Sequence, residues 1–192
     1  REQRMGEPLG RALSGQTVGL IGLGGIGRAL IQRLKPFGVR LIGIKRDDRE
    51  AAKNELGLEW VGGPEDLNEL LARSDHVVLA LPVTAESMNI IDVDAFSAMK
   101  KEAFLINLSR GGLVDHNALK KALAGGEIAG AGLDVFWEEP PDPNDPIFSF
   151  NVMATPHIAG STDVSMRGIV KNVAENIRRV ATGRSPLFLK TG

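Results

Sequence analysis

Apolar residues along this chain fall in short consecutive runs: TVGLIG at 17–22, VRLIGI at 39–44, HVVLAL at 76–81, AFLINL at 103–108, IAGAGLDV at 128–135 and NVMAT at 151–155. Runs of this length that do not alternate with polar residues read as strands covered on both faces, the condition of a parallel sheet. A further short strand is expected over 59–61. Between the runs the spacing changes. Ile26, Ala29, Leu30, Ile31 and Leu34 recur near helical period until Pro36 and Gly38 stop the pattern, and further helices are predicted over 64–72, 117–123 and 163–182. Strands alternating with helices predict an α/β, doubly wound parallel sheet in a single three-layer domain. The stretch EEPPDPNDP at 138–146 reads as an irregular loop, because its prolines remove backbone donors.

Composition narrows the function classes. A chain of 192 residues suits one core, and 43% hydrophobic with 24% charged residues is ordinary for a globular protein. Lys and Arg number 23 against 24 Asp and Glu, a net charge of -1, so there is no broad basic footprint for nucleic acid. No apolar run approaches the roughly 20 residues that span a bilayer. With no cysteine, disulfides, zinc-thiolate sites and thiol nucleophiles are all excluded, and nothing else supports a metal site. No signal peptide opens the sequence, and a cytoplasmic location is expected.

Gly22, Gly24 and Gly27 make the spacing G-x-G-x-x-G between a predicted strand and a predicted helix. In that context the first glycine permits a tight turn, the second lets backbone approach a pyrophosphate, and the third lets helix and strand pack closely. The helix N-terminus then offers amide donors to the phosphates, so a Rossmann-like dinucleotide site is expected. The end of the second strand selects the cofactor: an acid there accepts from a ribose 2′-hydroxyl and repels a 2′-phosphate. Here Lys45 and Arg46 follow that strand, which favours NADP over NAD. Asp47 and Asp48 come next and would serve the ribose of NAD if the strand ran further.

Three later strand ends carry chemistry. Arg110 leaves the strand at 103–108, where its guanidinium fork would grip a carboxylate and polarise an adjoining carbonyl. Asp134, Glu138 and Glu139 follow the next strand. His157 follows the last one, and imidazole titrates near neutral pH as a redox step on a ketone requires of its acid–base group. His76 and His116 read as structural.

Together GLGGIG at Gly22, NLSRGGLVD at Asn107, LDVFWEEP at Leu133 and TPHIAGST at Thr155 resemble the D-isomer-specific 2-hydroxyacid dehydrogenase family in order and spacing, over nearly the whole chain. The resemblance implies that Arg110 binds the substrate carboxylate and carbonyl, that His157 exchanges the proton with the substrate oxygen, and that Glu139 partners the imidazole and raises its pKa. Glu139 is preferred to Glu138 because it directly precedes Pro140, and it stands where related formate dehydrogenases carry an amide. Asp134 would contact the nicotinamide carboxamide, Gly25 and Ile26 the pyrophosphate, Leu81 and Pro82 the adenosine side, and Leu108 the nicotinamide ribose. His157 and Gly160 complete the implied cofactor contacts. Lys45 departs from the NAD-using pattern.

The same resemblance divides the chain into a connecting segment over 1–16, the dinucleotide domain over 17–160, and a C-terminal helix and tail over 161–192. The family's substrate-binding domain is expected to lie outside so short a chain. Expected partners are a small 2-keto or 2-hydroxy acid and a second copy in a homodimer, with neither nucleic acid nor membrane. The alternative is a nucleotide-sensing corepressor-like dimer scaffold. A relative of adenosylhomocysteine hydrolase is disfavoured by the RGG, EEP and PHIAG segments.

Overall fold

The computed structural model describes residues 10–189, so residues 1–9 of the expected connecting segment and 190–192 of the expected tail lie outside the described residues. The chain forms two compact units that meet in sequence between Ala154 and Thr155. The first carries seven strands: β1 (Thr17–Ile21), β2 (Arg40–Ile44), β3 (Trp60–Gly62), β4 (His76–Leu79), β5 (Phe104–Asn107), β6 (Gly130–Leu133) and β7 (Val152–Ala154). It also carries helices α1 (Gly25–Leu34), α2 (Arg49–Leu56), α3 (Leu67–Arg73), α4 (Val93–Ala98) and α5 (His116–Gly125). The second unit contains α6 (Asp163–Ala181).

All strands pair in parallel in the order β3-β2-β1-β4-β5-β6-β7, the doubly wound sheet expected from the run pattern. After β3 the chain returns to the centre, so β1 lies between β2 and β4. Loops leaving β1 and β4 therefore diverge, which opens a crevice at the carboxyl edge. Two apolar clusters form in the first unit. Val18, Leu20, Leu41 and Val78 pack with Ile31 of α1 and Ala52 and Leu56 of α2. Ile21, Ile42, Leu79 and Leu105 pack with Leu70 and Leu71 of α3, Phe96 of α4 and Leu119 of α5. Neighbouring residues of one strand thus feed opposite layers, which is why consecutive positions had to be apolar.

Two helices lie where no periodicity predicts them. In α2 only Ala52 and Leu56 are buried, too few to mark a stripe. The short α4 owes its start to Asp92, whose side chain accepts from the Ala95 amide at 2.9 Å. Expected boundaries also shift. The helix predicted over 64–72 opens as a 3₁₀ turn over Pro64–Asp66, with Asp66 accepting from the Gly63 amide, before α3 begins. Helix α5 starts at His116 because Asp115 caps it, accepting from Ala118, and it ends at left-handed Gly126. The run at 128–135 contributes only Gly130–Leu133 to the sheet. Strand β2 stops at Ile44, so Lys45 is the first residue past it.

Candidate functional site

One register row crosses the whole sheet: Gly62, Ile44, Ile21, Leu79, Asn107, Leu133 and Ala154 are successive lateral partners. These are also the last residues of their strands. Gly22, Lys45, Leu108 and Asp134 come one position beyond the row, and Arg46, Leu81, Pro82 and Arg110 follow within a few residues. Ladder register thus gathers onto one edge side chains that are remote in sequence, the edge where open parallel sheets bind ligands.

The glycine loop shows a division of labour. Gly22 has φ 101°, and a Cβ there would stand 2.5 Å from the Ala80 carbonyl oxygen. A Cβ on Gly27 would meet the Gly22 carbonyl oxygen at 2.4 Å, so this position draws α1 against the strand end. Gly24 and Gly25, by contrast, face open space. Gly24 is the N-cap of α1, no side chain caps it, and the first turn holds no acidic residue. The amide donors and positive dipole end of α1 therefore open onto a cradle that fits a pyrophosphate. Ile26 is 55% exposed at its rim, an apolar side chain that neither core cluster claims. Leu81 and Leu108 are half-buried, each packed on one of the clusters beneath the edge.

At the end of β2, Lys45 is half-buried and Arg46 exposed. The Gly22 amide donates to the Ile44 carbonyl at 3.2 Å and the Lys45 amide to the Gly62 carbonyl at 3.0 Å, which ties this corner to the glycine loop. Glu55 of α2 forms an ion pair with Arg28 of α1. The Arg28 hydrogen bond, aided by the nearby Lys45 charge, holds the Glu55 carboxyl below its ordinary range. Glu86 is lowered too, mainly by a hydrogen bond from Thr84 at 2.6 Å and also by the field of Arg46. Both cations after β2 thus have an acid within electrostatic reach.

The loop bearing Arg110 is pinned at both ends. Asn107 is buried, and its side-chain oxygen accepts from the Ser109 amide at 3.1 Å while its nitrogen donates to the Arg110 carbonyl at 2.9 Å. Buried Ser109 donates its hydroxyl to the Leu79 carbonyl at 2.9 Å, tying this loop to the end of β4. The exposed Arg110 guanidinium gives one donor to the Ser109 carbonyl, at 2.6 Å, out of its planar fork of five. A Cβ on Gly111 would lie 2.1 Å from the Phe136 carbonyl oxygen, so this glycine lets the Arg110 loop press against the loop after β6. In that second loop Asp134 is buried with its amide on the Asn107 carbonyl at 3.0 Å. Glu139 is exposed, and its carboxylate accepts from the Phe136 amide at 3.1 Å.

His157 and Gly160 belong to the second compact unit. His157 is exposed and has φ 52°, a left-handed conformation uncommon outside glycine. Its amide donates to the Thr155 carbonyl at 3.0 Å, and Gly160 accepts from the Thr162 amide at 3.1 Å just before α6. The other two histidines are engaged elsewhere. His76 bonds Gln16 at 2.7 Å at the opposite edge of the sheet, and the His116 ring lies 4.3 Å from that of Trp137.

Sequence reading missed Asn107, Ser109 and Gly111 as the residues that position Arg110. An Asn and a Ser directly after a strand, followed by two glycines, were the available signal. The Arg28 and Glu55 pair leaves no comparable trace. Among the described residues, no group of three or more His, Asp or Glu is arranged to hold a metal, and no helix is long and apolar enough to cross a membrane.

The parallel order, the glycine loop at the central crevice and the open α1 N-terminus define a dinucleotide-binding Rossmann domain. Residues 1–159 match the family model described as D-isomer specific 2-hydroxyacid dehydrogenase, NAD binding domain. The chain belongs to that family. It is 44% identical over 179 residues to a glyoxylate reductase of Pyrococcus horikoshii, an alignment covering 93% of this chain and 52% of the relative. The chain therefore spans about half the length of that relative. D-lactate dehydrogenase from Lactobacillus jensenii, solved with NAD+, superposes with a TM-score of 0.82 at 28% identity, over 96% of this chain and 58% of that one. An acyclic imino acid reductase (Bsp5), solved with NADPH and D-Arg, gives 0.86 at 29% identity, over 100% and 59%.

Proposed function

We propose that this chain is the cofactor-binding part of an oxidoreductase that reduces a 2-keto acid to the D-2-hydroxy acid with a preference for NADPH. The observation that carries the reading is the single register row. It brings an open glycine cradle, two cations after β2 and a pinned Arg110 to one edge. Bound there, the nicotinamide cofactor supplies the hydride.

The chain's own residues do the rest. Amides at the head of α1 hold the pyrophosphate, and Gly24 and Gly25 leave room for it. Lys45 and Arg46 bind the 2′-phosphate, and Asp134 holds the carboxamide end. Arg110 takes the substrate carboxylate with the remaining donors of its fork and draws electron density toward the carbonyl oxygen. His157 delivers the proton to that oxygen and Glu139 is the partner carboxylate, the roles that the family resemblance implies for them. Glyoxylate and hydroxypyruvate are the substrates to try first, given the glyoxylate reductase relative. The working assembly is a cytoplasmic homodimer, as the family resemblance implies.

Calorimetric titration of the chain with NADPH and NADH tests the cofactor reading, with Lys45→Asp beside it. Tighter NADPH binding in the parent and a reversed order in the variant is the expected result. Tighter NADH binding in the parent would overturn it and move ribose recognition to Asp47 or Asp48.

A further inference from the structure

Arg28 follows the third glycine directly, and its position is fixed by the packing of Gly27 on Gly22 and by its own amide bond to the Gly24 carbonyl at 2.9 Å. Lys45 follows β2, the strand beside β1, and the two corners are joined through Gly22 and Ile44. Arg28 and Lys45 are thus rooted at adjacent strand ends. Glu55 reaches toward them from the last turn of α2: it pairs with Arg28 and also lies in the field of Lys45. One carboxylate therefore serves two cations, at the corner where the adenosine ribose is bound in a Rossmann site.

The geometry points to Glu55 as a counter-ion that competes with the 2′-phosphate of NADPH for Arg28 and Lys45, and so sets how strongly this site prefers NADPH to NADH. The inference rests on the cofactor reading above and adds two residues to it. A 2′-phosphate carries more charge than one carboxylate, so it displaces Glu55 but must first break the existing pair. NADH brings only a hydroxyl and leaves the pair intact. Glu55 thus lowers NADPH affinity while hardly touching NADH. The Arg28–Glu55 pair is largely solvated, with side chains 38% and 60% exposed, so the effect is limited by screening.

The test is calorimetric titration of the whole chain with NADPH and with NADH, in the parent, Glu55→Gln, Arg28→Gln and Glu50→Gln. Glu50 lies at the other end of α2, pairs with Asn54, and controls for net charge. The expected result for Glu55→Gln is a shift of about three- to fivefold in the affinity ratio toward NADPH. Arg28→Gln should shift it the opposite way, and Glu50→Gln should leave it within about twofold. An unmoved ratio in Glu55→Gln, or an equal shift in Glu50→Gln, overturns the inference. So does a parallel loss of both cofactors in Glu55→Gln with its thermal melting intact. The parent's preference scores the cofactor reading, whereas the change in that preference scores Glu55, so the two fail separately.

Discussion

The side-chain nitrogen of Asn107 donates to the Arg110 carbonyl at 2.9 Å while its oxygen accepts from the Ser109 amide at 3.1 Å, so one buried amide closes the loop that presents the guanidinium. Removing it strips the Ser109 amide of its acceptor and leaves the Arg110 carbonyl with the longer bond from the Leu113 amide, at 3.3 Å. Asn107→Ala is expected to cost about 1–3 kcal/mol of stability in urea unfolding, the range for breaking a buried hydrogen-bond network. A cost near zero would mean that the loop holds its shape without the amide.

The glycine loop allows fold and binding to be separated. Gly24→Ala adds a Cβ into open space, so stability should fall by less than about 1 kcal/mol, whereas dinucleotide affinity should drop about tenfold or more as the cradle fills. Gly27→Ala forces a Cβ to 2.4 Å from the Gly22 carbonyl oxygen and should destabilise the chain by about 2 kcal/mol or more. Thermal unfolding and calorimetric titration on the same two variants check both. Equal losses of stability would refute the distinction.

The partly buried source of acid sensitivity lies at the edge opposite the cofactor site, since the lowered carboxyls of Glu55 and Glu86 are solvated and screened. Burial alone would raise the pKa of Asp75, but hydrogen bonds from Lys100 at 2.8 Å and the Thr17 amide at 2.7 Å outweigh it and leave it below 3.8. Burial lowers His76 below 6.5, with Asp75 opposing only in part. In both cases the unfolded chain binds protons more readily than the folded one. Both contributions are therefore present above the unfolded pKa values and fade as pH falls through the folded ones. Urea midpoints should begin to decline as pH drops below about 6.5 through His76 and decline again below about 4 through Asp75. His76→Gln should flatten the first decline and Asp75→Asn the second.

Arg110→Lys tests the proposed substrate grip in steady-state reduction of glyoxylate by the enzyme carrying this chain. An ammonium cannot reproduce the planar fork, so KM should rise and kcat should fall, with kcat/KM lower by about a hundredfold. His157→Gln should suppress kcat more than KM. A His157 variant with unchanged kcat would remove it from the proton path.

Much of the sheet was legible because a strand buried on both faces must be apolar nearly throughout, a condition that five of the six runs meet, whereas β7 is half-buried at Val152 and exposed at Met153 and Ala154. The glycine loop was legible for a related reason: close backbone approaches exclude side chains, as the Gly22 and Gly27 contacts show. Helices α2 and α4 were not legible, since two buried residues in each leave no period to detect. The supports of Arg110 were only half visible, because a hydrogen bond from Ser109 to Leu79 joins residues 30 apart.

By itself, then, the sequence determined the parallel α/β class, the glycine loop and the residue types that end each strand, since these follow from local burial and backbone sterics. Only the tertiary structure decided that those strand ends share one register row, which hydrogen-bond ladders alone can set. It also decided that Glu55 stands against Arg28 and within the field of Lys45. Charge pairs of this kind depend on helix placement over the sheet, and the spacing of 27 residues between Arg28 and Glu55 carries no trace of it.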